Sequence, residues 1–265
     1  MNIMMNTGKS GLLTYQYDLD VIGHNIANVG TVGYKSTKTS FRDLIFSSMD
    51  INKNREFIEN NRDKDPLSME LTGRGVRALG QDMLYNQGAI TTSEYQLDYA
   101  IEGDALFAVD YRGTTMYTRN GNFDISVEGN ENYLVTADGG YVLDWNGDRI
   151  VVPFKVTDDG TVTDTIDIER LDPQLGMFTF DNPHGLMRRD GTRFLQTANS
   201  GEPQTAIIGE GPGTSNLLGR YLERSNVDIA KEMSDLIVTQ RAYQFSARIV
   251  TTADDIEDLT NTLRQ

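Results

Sequence analysis

Apolar positions follow two different rhythms along the chain. From the N-terminus, apolar or small residues fall at Met5, Gly8, Leu12, Tyr15, Leu19, Ile22, Ile26 and Val29, with steps that alternate between three and four. That is a heptad seam on one side of a helix. The spacing predicts a helix over residues 7–28, about 33 Å long at 1.5 Å per residue, with Gly30 placed to cap its C-terminus. The other end repeats the pattern. Ile229, Met233, Leu236, Gln240, Tyr243, Ala247 and Val250 alternate steps of four and three, and the stripe then drifts to Ile249, Ala253, Ile256, Leu259 and Leu263. Ser225 with Asp228 forms a capping-box pattern with Asp in place of Glu. No Pro or Gly occurs from Ser225 to Gln265. One helix of about 35 residues is expected there, against a globular mean of about 11–12.

Between these ends the period shortens to two. Phe107, Val109 and Tyr111 alternate before Arg112-Gly113. Beyond them the chain is punctuated by Asn120-Gly121, Asp138-Gly139, Asn146-Gly147, Asp159-Gly160 and Asp190-Gly191. Asn-Gly and Asp-Gly between alternating runs are strong hairpin signals. The expected fold is therefore a mainly β central domain flanked by long N- and C-terminal α-helices. The boundaries read as an N-terminal helical segment over 1–35, a connecting segment over 36–69, a β-rich domain over 70–215 and a C-terminal helical segment over 216–265. The polar stretch 47–66 reads as a mobile connection, and Gly209-Glu210-Gly211-Pro212-Gly213 as a second one.

Composition narrows the function. With 39 acidic against 24 basic residues the net charge is −15. That argues against nucleic acid and anionic membranes as partners and implies that free subunits repel one another. There is no apolar run long enough to span a bilayer. The start, Met1 to Asn6, lacks the basic and apolar regions of a cleaved secretory signal. Cysteine is absent and only His24 and His184 are present, so neither a Cys-ligated zinc nor a multi-His metal site is expected.

Individual motifs carry little chemistry. Gly8-Lys9-Ser10 resembles the end of a phosphate loop, but Ile3 stands where the first glycine belongs and no strand precedes it. Asp144-Trp145-Asn146-Gly147-Asp148 has some calcium-loop spacing, but Arg149 and Lys155 occupy the positions of the required Gly and Glu, so a hairpin tip is the better reading. No catalytic, cofactor or metal residues are assigned. The terminal stripes themselves leave two possibilities open, a helical hairpin within one chain or pairing used in assembly.

Three blocks then resemble a known family, the flagellar basal-body rod and hook axial proteins. The first runs from Leu19 to Lys35 and contains Asn25-Ile26-Ala27-Asn28 and Thr31-Val32-Gly33-Tyr34-Lys35. The second runs from Gln87-Gly88 through Leu97–Asp104 to Tyr117-Thr118-Arg119-Asn120-Gly121. The third is Leu222–Asp228, followed by Gln240-Arg241-Ala242-Tyr243 and Thr252-Ala253-Asp254. Thr72–Val76 with Gln87-Gly88 is closer to the distal-rod than to the proximal-rod type. His24 and Ala105-Leu106-Phe107 depart from the family's usual Asn and Gly-Phe-Phe.

The resemblance implies a non-enzymatic structural subunit of the rod that transmits torque from motor to hook. Its termini would be disordered when free and would fold as a coiled coil on assembly. The implied location is the basal body, reached through the flagellar export apparatus without cleavage. The implied partners are copies of itself and adjacent rod, hook and ring or bushing proteins. The residues assigned to subunit assembly are Leu12, Tyr15, Leu19, Ile22, Asn25, Ile26, Asn28 and Val29 near one end. Near the other they are Ile229, Met233, Leu236, Tyr243, Val250, Ile256 and Leu263. The alternatives are a proximal-rod or hook-type subunit, a cell-wall protein that binds or cleaves glycan, and an ordinary coiled-coil dimer.

Overall fold

The computed structural model describes residues 3–44, 47–48, 71–129, 131–156, 162–206, 209 and 214–263. Most of both expected connections, and the Asp159-Gly160 turn, lie outside the described residues. The chain runs α1 (Ile3–Ala27), β1 (Thr37–Asp43), β2 (Ser47–Ser48), β3 (Leu71–Thr72), β4 (Val76–Met83), β5 (Ile90–Thr92) and β6 (Tyr99–Glu102). It continues with β7 (Leu106–Tyr111), β8 (Thr114–Thr118), β9 (Phe123–Glu128), β10 (Glu131–Thr136), β11 (Tyr141–Val142), β12 (Phe154–Val156) and β13 (Val162–Ile166). A short α2 (Ile168–Leu171) precedes β14 (Met177–Thr179), β15 (Met187–Asp190), β16 (Arg193–Leu195), β17 (Gln204–Thr205), β18 (Asn216–Gly219), β19 (Tyr221–Glu223) and α3 (Ile229–Thr262). Two compact units result. One holds Met1–His24, Thr37–Asp82 and Ala230–Gln265, and the other holds Asn25–Ser36 and Met83–Ile229.

The first unit contains most of both long helices. α1 begins at Ile3, before the expected start, and Gly30 is not its left-handed cap. The positive φ (+67°) falls instead at Gly33. α3 begins at Ile229, and Ser225 accepts a hydrogen bond from the Val227 N–H at 3.3 Å, a local turn in place of the capping box. β1 pairs with β4 as a two-stranded ribbon, so part of the expected connecting segment is strand. The ribbon rests on α1: the Val76 N–H donates to Ser10 Oγ (3.3 Å), Thr14 Oγ1 donates to the Val76 carbonyl (3.3 Å), and the Tyr15 and Phe41 rings lie 6.2 Å apart.

The second unit is built on a nine-stranded sheet ordered β15-β16-β8-β7-β11-β10-β9, with β14 pairing β7 and β17 pairing β14. The alternation at β7 explains its central place. Phe107 and Val109 enter one buried cluster with Tyr99, Leu134 and Met177, while Leu106 and Ala108 enter another with Tyr117 and Phe194. A strand buried on both sides must be apolar at both parities. Four turn dipeptides serve as hairpins. Arg112-Gly113, with φ of 55° and 78°, joins β7 to β8, as a primed turn requires. Asp138-Gly139, Asn146-Gly147 and Asp190-Gly191 close the others. Asn120-Gly121 does not form a hairpin, because β8 pairs with β7 and β16 while β9 pairs with β10. Its glycine answers a different need: a Cβ there would lie 1.8 Å from the Tyr99 carbonyl oxygen.

Candidate functional site

α1 and α3 pack on each other where α1 carries glycines and α3 carries Ser246, Ile249 and Val250. A Cβ on Gly8 would stand 2.7 Å from Val250 Cγ2, and one on Gly11 would stand 2.9 Å from Ser246 Oγ. Further along, Thr239 Oγ1 donates to Asp18 Oδ2 at 3.0 Å. Positions rise on α1 as they fall on α3, so the pair is antiparallel. The buried line on α3 is Thr239, Ser246 and Ala253, seven residues apart, with Ser246 against Gly11 and Thr239 against Asp18. Small side chains allow close backbone approach, and the hydroxyls find partners, as with Ser246 Oγ donating to the Ala242 carbonyl (3.0 Å).

Most residues assigned to assembly flank this line or lie away from it. Leu12, Tyr15, Leu19, Ile26, Asn28, Val29, Leu236, Tyr243 and Val250 are half-buried, Ile22 and Asn25 are buried, and Ile229, Met233, Ile256 and Leu263 are exposed. α3 also has a second apolar face, which continues the drifted stripe back to Phe245 and Val238 at the same spacing. Val238, Phe245, Ile249, Ile256, Leu259 and Leu263 are 65%, 60%, 40%, 45%, 65% and 87% exposed. At 100° per residue they fall within an arc of about 80°. The drift of the C-terminal stripe is thus a change of face, from the flank of the intramolecular contact to open surface.

The second unit carries a buried ion triad that no local pattern announces. Lys35 Nζ donates to Glu223 Oε1 at 2.7 Å and Arg119 Nε donates to Glu223 Oε2, with all three side chains at most 4% exposed. The Gly88 N–H also donates to Glu223 Oε1 (2.9 Å). Lys35 Nζ donates further to the Asn86 carbonyl (3.0 Å), and Arg119 donates to the Ile101 (2.6 Å) and Ala105 carbonyls. Every carboxylate oxygen is therefore met and both cations are shared with carbonyls, which buried charge requires. Burial lowers the Lys35 ammonium below its ordinary value despite the attraction of Glu223. Burial would raise the Glu223 carboxyl, but Arg119 and Lys35 outweigh it and hold that group below the usual carboxylate range.

The backbone around the triad is equally committed. Gly33, at φ +67°, donates its N–H to the Glu223 carbonyl (2.9 Å), and a Cβ there would lie 2.6 Å from the Asn120 nitrogen. Asn226 accepts from the Ser36 N–H (2.7 Å) and donates to the Leu84 (2.8 Å) and Asn86 (3.0 Å) carbonyls. Tyr34 Oη donates to Asn25 Oδ1 at 3.0 Å. The three sequence blocks meet here, each contributing one charged residue. Among the described residues there is no cluster of metal-ligating side chains and no helix long and apolar enough to cross a membrane.

Two long terminal helices bracketing a β unit, with a polar knot where the chain enters and leaves it, define a class of axial protein. Residues 5–35 match the family described as flagella basal body rod protein, residues 100–166 the flagellar hook protein FlgE/F/G D1 domain, and residues 218–263 the flagellar basal body rod FlgEFG protein C-terminal region. The chain is 34% identical to the flagellar basal-body rod protein FlgG of Bacillus subtilis, over 97% of this chain and 98% of that one. It is 33% identical to FlgG of Caulobacter vibrioides (98% of each) and 32% identical to FlgG of Borreliella burgdorferi (98% and 97%). The chain belongs to the flagellar basal-body rod protein family and is of the FlgG type. It is a structural subunit of the basal-body rod that self-assembles and associates with other flagellar components, and the family is not an enzyme family. Lys35, Arg119 and Glu223 fall one in each of the three matched regions.

Proposed function

We propose that the chain polymerises through its terminal helices into a tubular shaft that carries torque from motor to hook. Segments 1–35 and 216–265 form the assembly elements, 36–69 links them to the β-rich domain over 70–215, and the helices pack as a coiled coil in the filament. The observation that carries this reading is the exposed apolar face of α3, of which only Ile249 also reaches α1, beside Gly8. Large exposed apolar patches mark interaction surfaces, and burying each such side chain is worth about 1.5–3 kcal/mol. Ile229, Met233, Ile256 and Leu263 lie on open surface, the remaining assembly residues except Ile22 and Asn25 are half-buried, and Ile22 and Asn25 are buried. An isolated helix of this kind is marginal in water, which suits passage through the flagellar export apparatus in unfolded form, without cleavage, and folding against neighbours. The partners are further copies of the chain and the adjoining rod, hook and ring or bushing proteins.

Val238→Asp with Phe245→Asp tests the reading. Both sites are exposed, so unfolding of the β unit should be unchanged, while cells carrying the variant should lose rods in purified basal bodies and stop swimming. Normal rods and swimming would overturn it.

A further inference from the structure

Each long helix is divided between the two units. Asn25–Ala27 close α1 but cluster with Met83–Ile229, and Ile229 opens α3 in that same unit, while Ile3–His24 and Ala230–Thr262 belong to the other. α1 and α3 therefore each have a short inner root in the β unit and a long outer part in the other unit. The root of α1 is built in. Asn25, Tyr34, Lys35 and Ser36 are at most 5% exposed. Tyr34 is bonded to Asn25, and the guanidinium of Arg188 on β15 lies 4.7 Å from the centre of the Tyr34 ring. The approach to α3 is held in the same place. Arg224 donates its N–H to the Ala89 carbonyl (2.9 Å), and Asn226 ties Ser36 to Leu84 and Asn86. Lifting residues 25–36 away would break the buried Lys35–Glu223 pair, one of the costlier single losses in a folded chain. That segment therefore opens with the β unit and not before it.

The outer parts are held differently. Where they meet, α1 carries glycines, and Leu13, Val238 and Phe245 are at least 60% exposed. Two physical arguments favour their growth from the roots. Starting a helix is costly, whereas extending one is not. The last turn of α1 is already fixed at Asn25, with the Asn28 N–H donating to the Asn25 carbonyl (3.1 Å), and α3 starts three residues after Asn226. Closing a contact also costs more as the free chain that it spans grows longer. Asp18 is seven residues from Asn25 and Thr239 is thirteen from Asn226, whereas Gly8 and Val250 are seventeen and twenty-four residues away.

We infer that the β unit is a template for the helix pair. In a chain not yet joined to neighbours, residues 25–36 and 223–229 are already folded as part of that unit. α1 and α3 then zip together outward from these roots, with Asp18 meeting Thr239 first, Gly11 meeting Ser246 next and Gly8 meeting Val250 last. The inference rests on the reading that the terminal helices fold as subunits join, and it names where that folding starts. Its consequence is that the antiparallel register of the pair is set inside each chain. An arriving neighbour finds one register on offer and only the outer turns left to order.

Hydrogen exchange read by mass spectrometry tests this on the full chain, kept monomeric at low concentration and checked by sedimentation. The amides of Gly33, Ser36 and Arg224 should exchange at least about 100-fold more slowly than those of Thr7 and Thr252, with protection falling outward along both helices. Fast exchange at Gly33 and Arg224, even protection from Ile3 to Ser36, or protection strongest at the outer ends overturns the inference. Two variants test the direction of zipping. Thr239→Val removes the innermost contact, the hydrogen bond to Asp18, and should speed exchange of residues 5–14 and 242–254 about tenfold, the scale of one hydrogen bond to a charged group. Gly8→Leu spoils the outermost contact by crowding Val250 and should leave residues 15–22 and 232–241 unchanged. Neither site lies in the β unit, so unfolding followed by Trp145 fluorescence should match wild type in both. Equal effects of the two variants, or an effect of Gly8→Leu on the inner residues, overturn the order. If exchange shows this order while Val238→Asp with Phe245→Asp still forms rods, the template stands and polymerisation through that face is wrong. If that variant abolishes rods while the order is absent, only the template is wrong.

Discussion

Replacing Glu223 with Gln removes one negative charge from the triad with almost no change in volume. Lys35 and Arg119 would remain at most 4% exposed with no carboxylate between them. The backbone carbonyls that they also contact supply hydrogen bonds but no countercharge. Removing one partner of a buried ion pair costs about 3–5 kcal/mol. In a unit of this size that lowers the melting temperature by about 6–20 °C. Trp145 is the only tryptophan, it sits in the same unit, and its Nε1–H donates to the Pro173 carbonyl at 2.8 Å. Its fluorescence during urea or thermal unfolding therefore reports this unit alone. Arg170→Met is the control, since Arg170 is 72% exposed in its pair with Asp167, and its loss should cost under about 1 kcal/mol. The pH dependence has a definite sign. Because the folded carboxyl of Glu223 is held below its ordinary value, its contribution is present above about pH 4.3, the unfolded value, and disappears as pH falls through the lower folded value. The Gln variant should lose that acid-side step. If Glu223→Gln falls within about 1 kcal/mol of wild type, alongside Arg170→Met, the triad does not hold the unit together and the reasoning fails.

Two further outcomes are expected. Gly33→Ala forces a side chain into a positive φ and against the Asn120 nitrogen and should destabilise the unit by about 2–4 kcal/mol. Gly129→Ala, with φ +65° but open space around it, should cost only about 1 kcal/mol, and equal losses in urea unfolding would refute the clash. Burial pushes the Tyr85 phenol up to about 12, and its hydroxyl is buried with no partner among the described residues. Stability linked to it is full below about pH 10, the unfolded value, and is lost as pH rises through the folded one. Tyr85→Phe should remove this alkaline step without weakening the unit at neutral pH, as followed by Trp145 fluorescence.

The range of each force decides how much of the fold is legible in sequence. Helix periodicity and turn chemistry are local, so α1, α3 and the hairpins at Arg112-Gly113, Asp138-Gly139, Asn146-Gly147 and Asp190-Gly191 are readable. β1 is not, because its partner β4 lies beyond a long polar stretch and its residues lack clean alternation. The helix contact escapes a hydrophobic pattern because hydrophobicity is not the sign of burial there. Gly8, Gly11 and Ser246 sit in the contact for their small size, while Phe245 and Leu259 are left outside. The triad lies inside the three family-like blocks, yet Lys35 and Arg119 are 188 and 104 residues from Glu223. Each block holds several charged residues, such as Asp20 in the block of Lys35 and Arg224 in that of Glu223, and nothing local picks out the three that pair.

The backbone beside the triad has a topological consequence. Gly33 bonds to Glu223, and Asn226 bonds back to Tyr34 at 3.4 Å, so the first segment of the β unit lies beside the end of its last one. The unit is made of two chain segments, Asn25–Ser36 and Met83–Ile229, and its feet are already fastened to one another, the Leu84 N–H donating to the Ser36 carbonyl at 2.9 Å. Lengthening a hairpin tip such as Asn146-Gly147, or exchanging much of the sheet, changes nothing in the spacing of those feet. A chain built this way can vary the bulk of its sheet, or be engineered to display foreign cargo there, while the fastened ends of the β unit keep their separation.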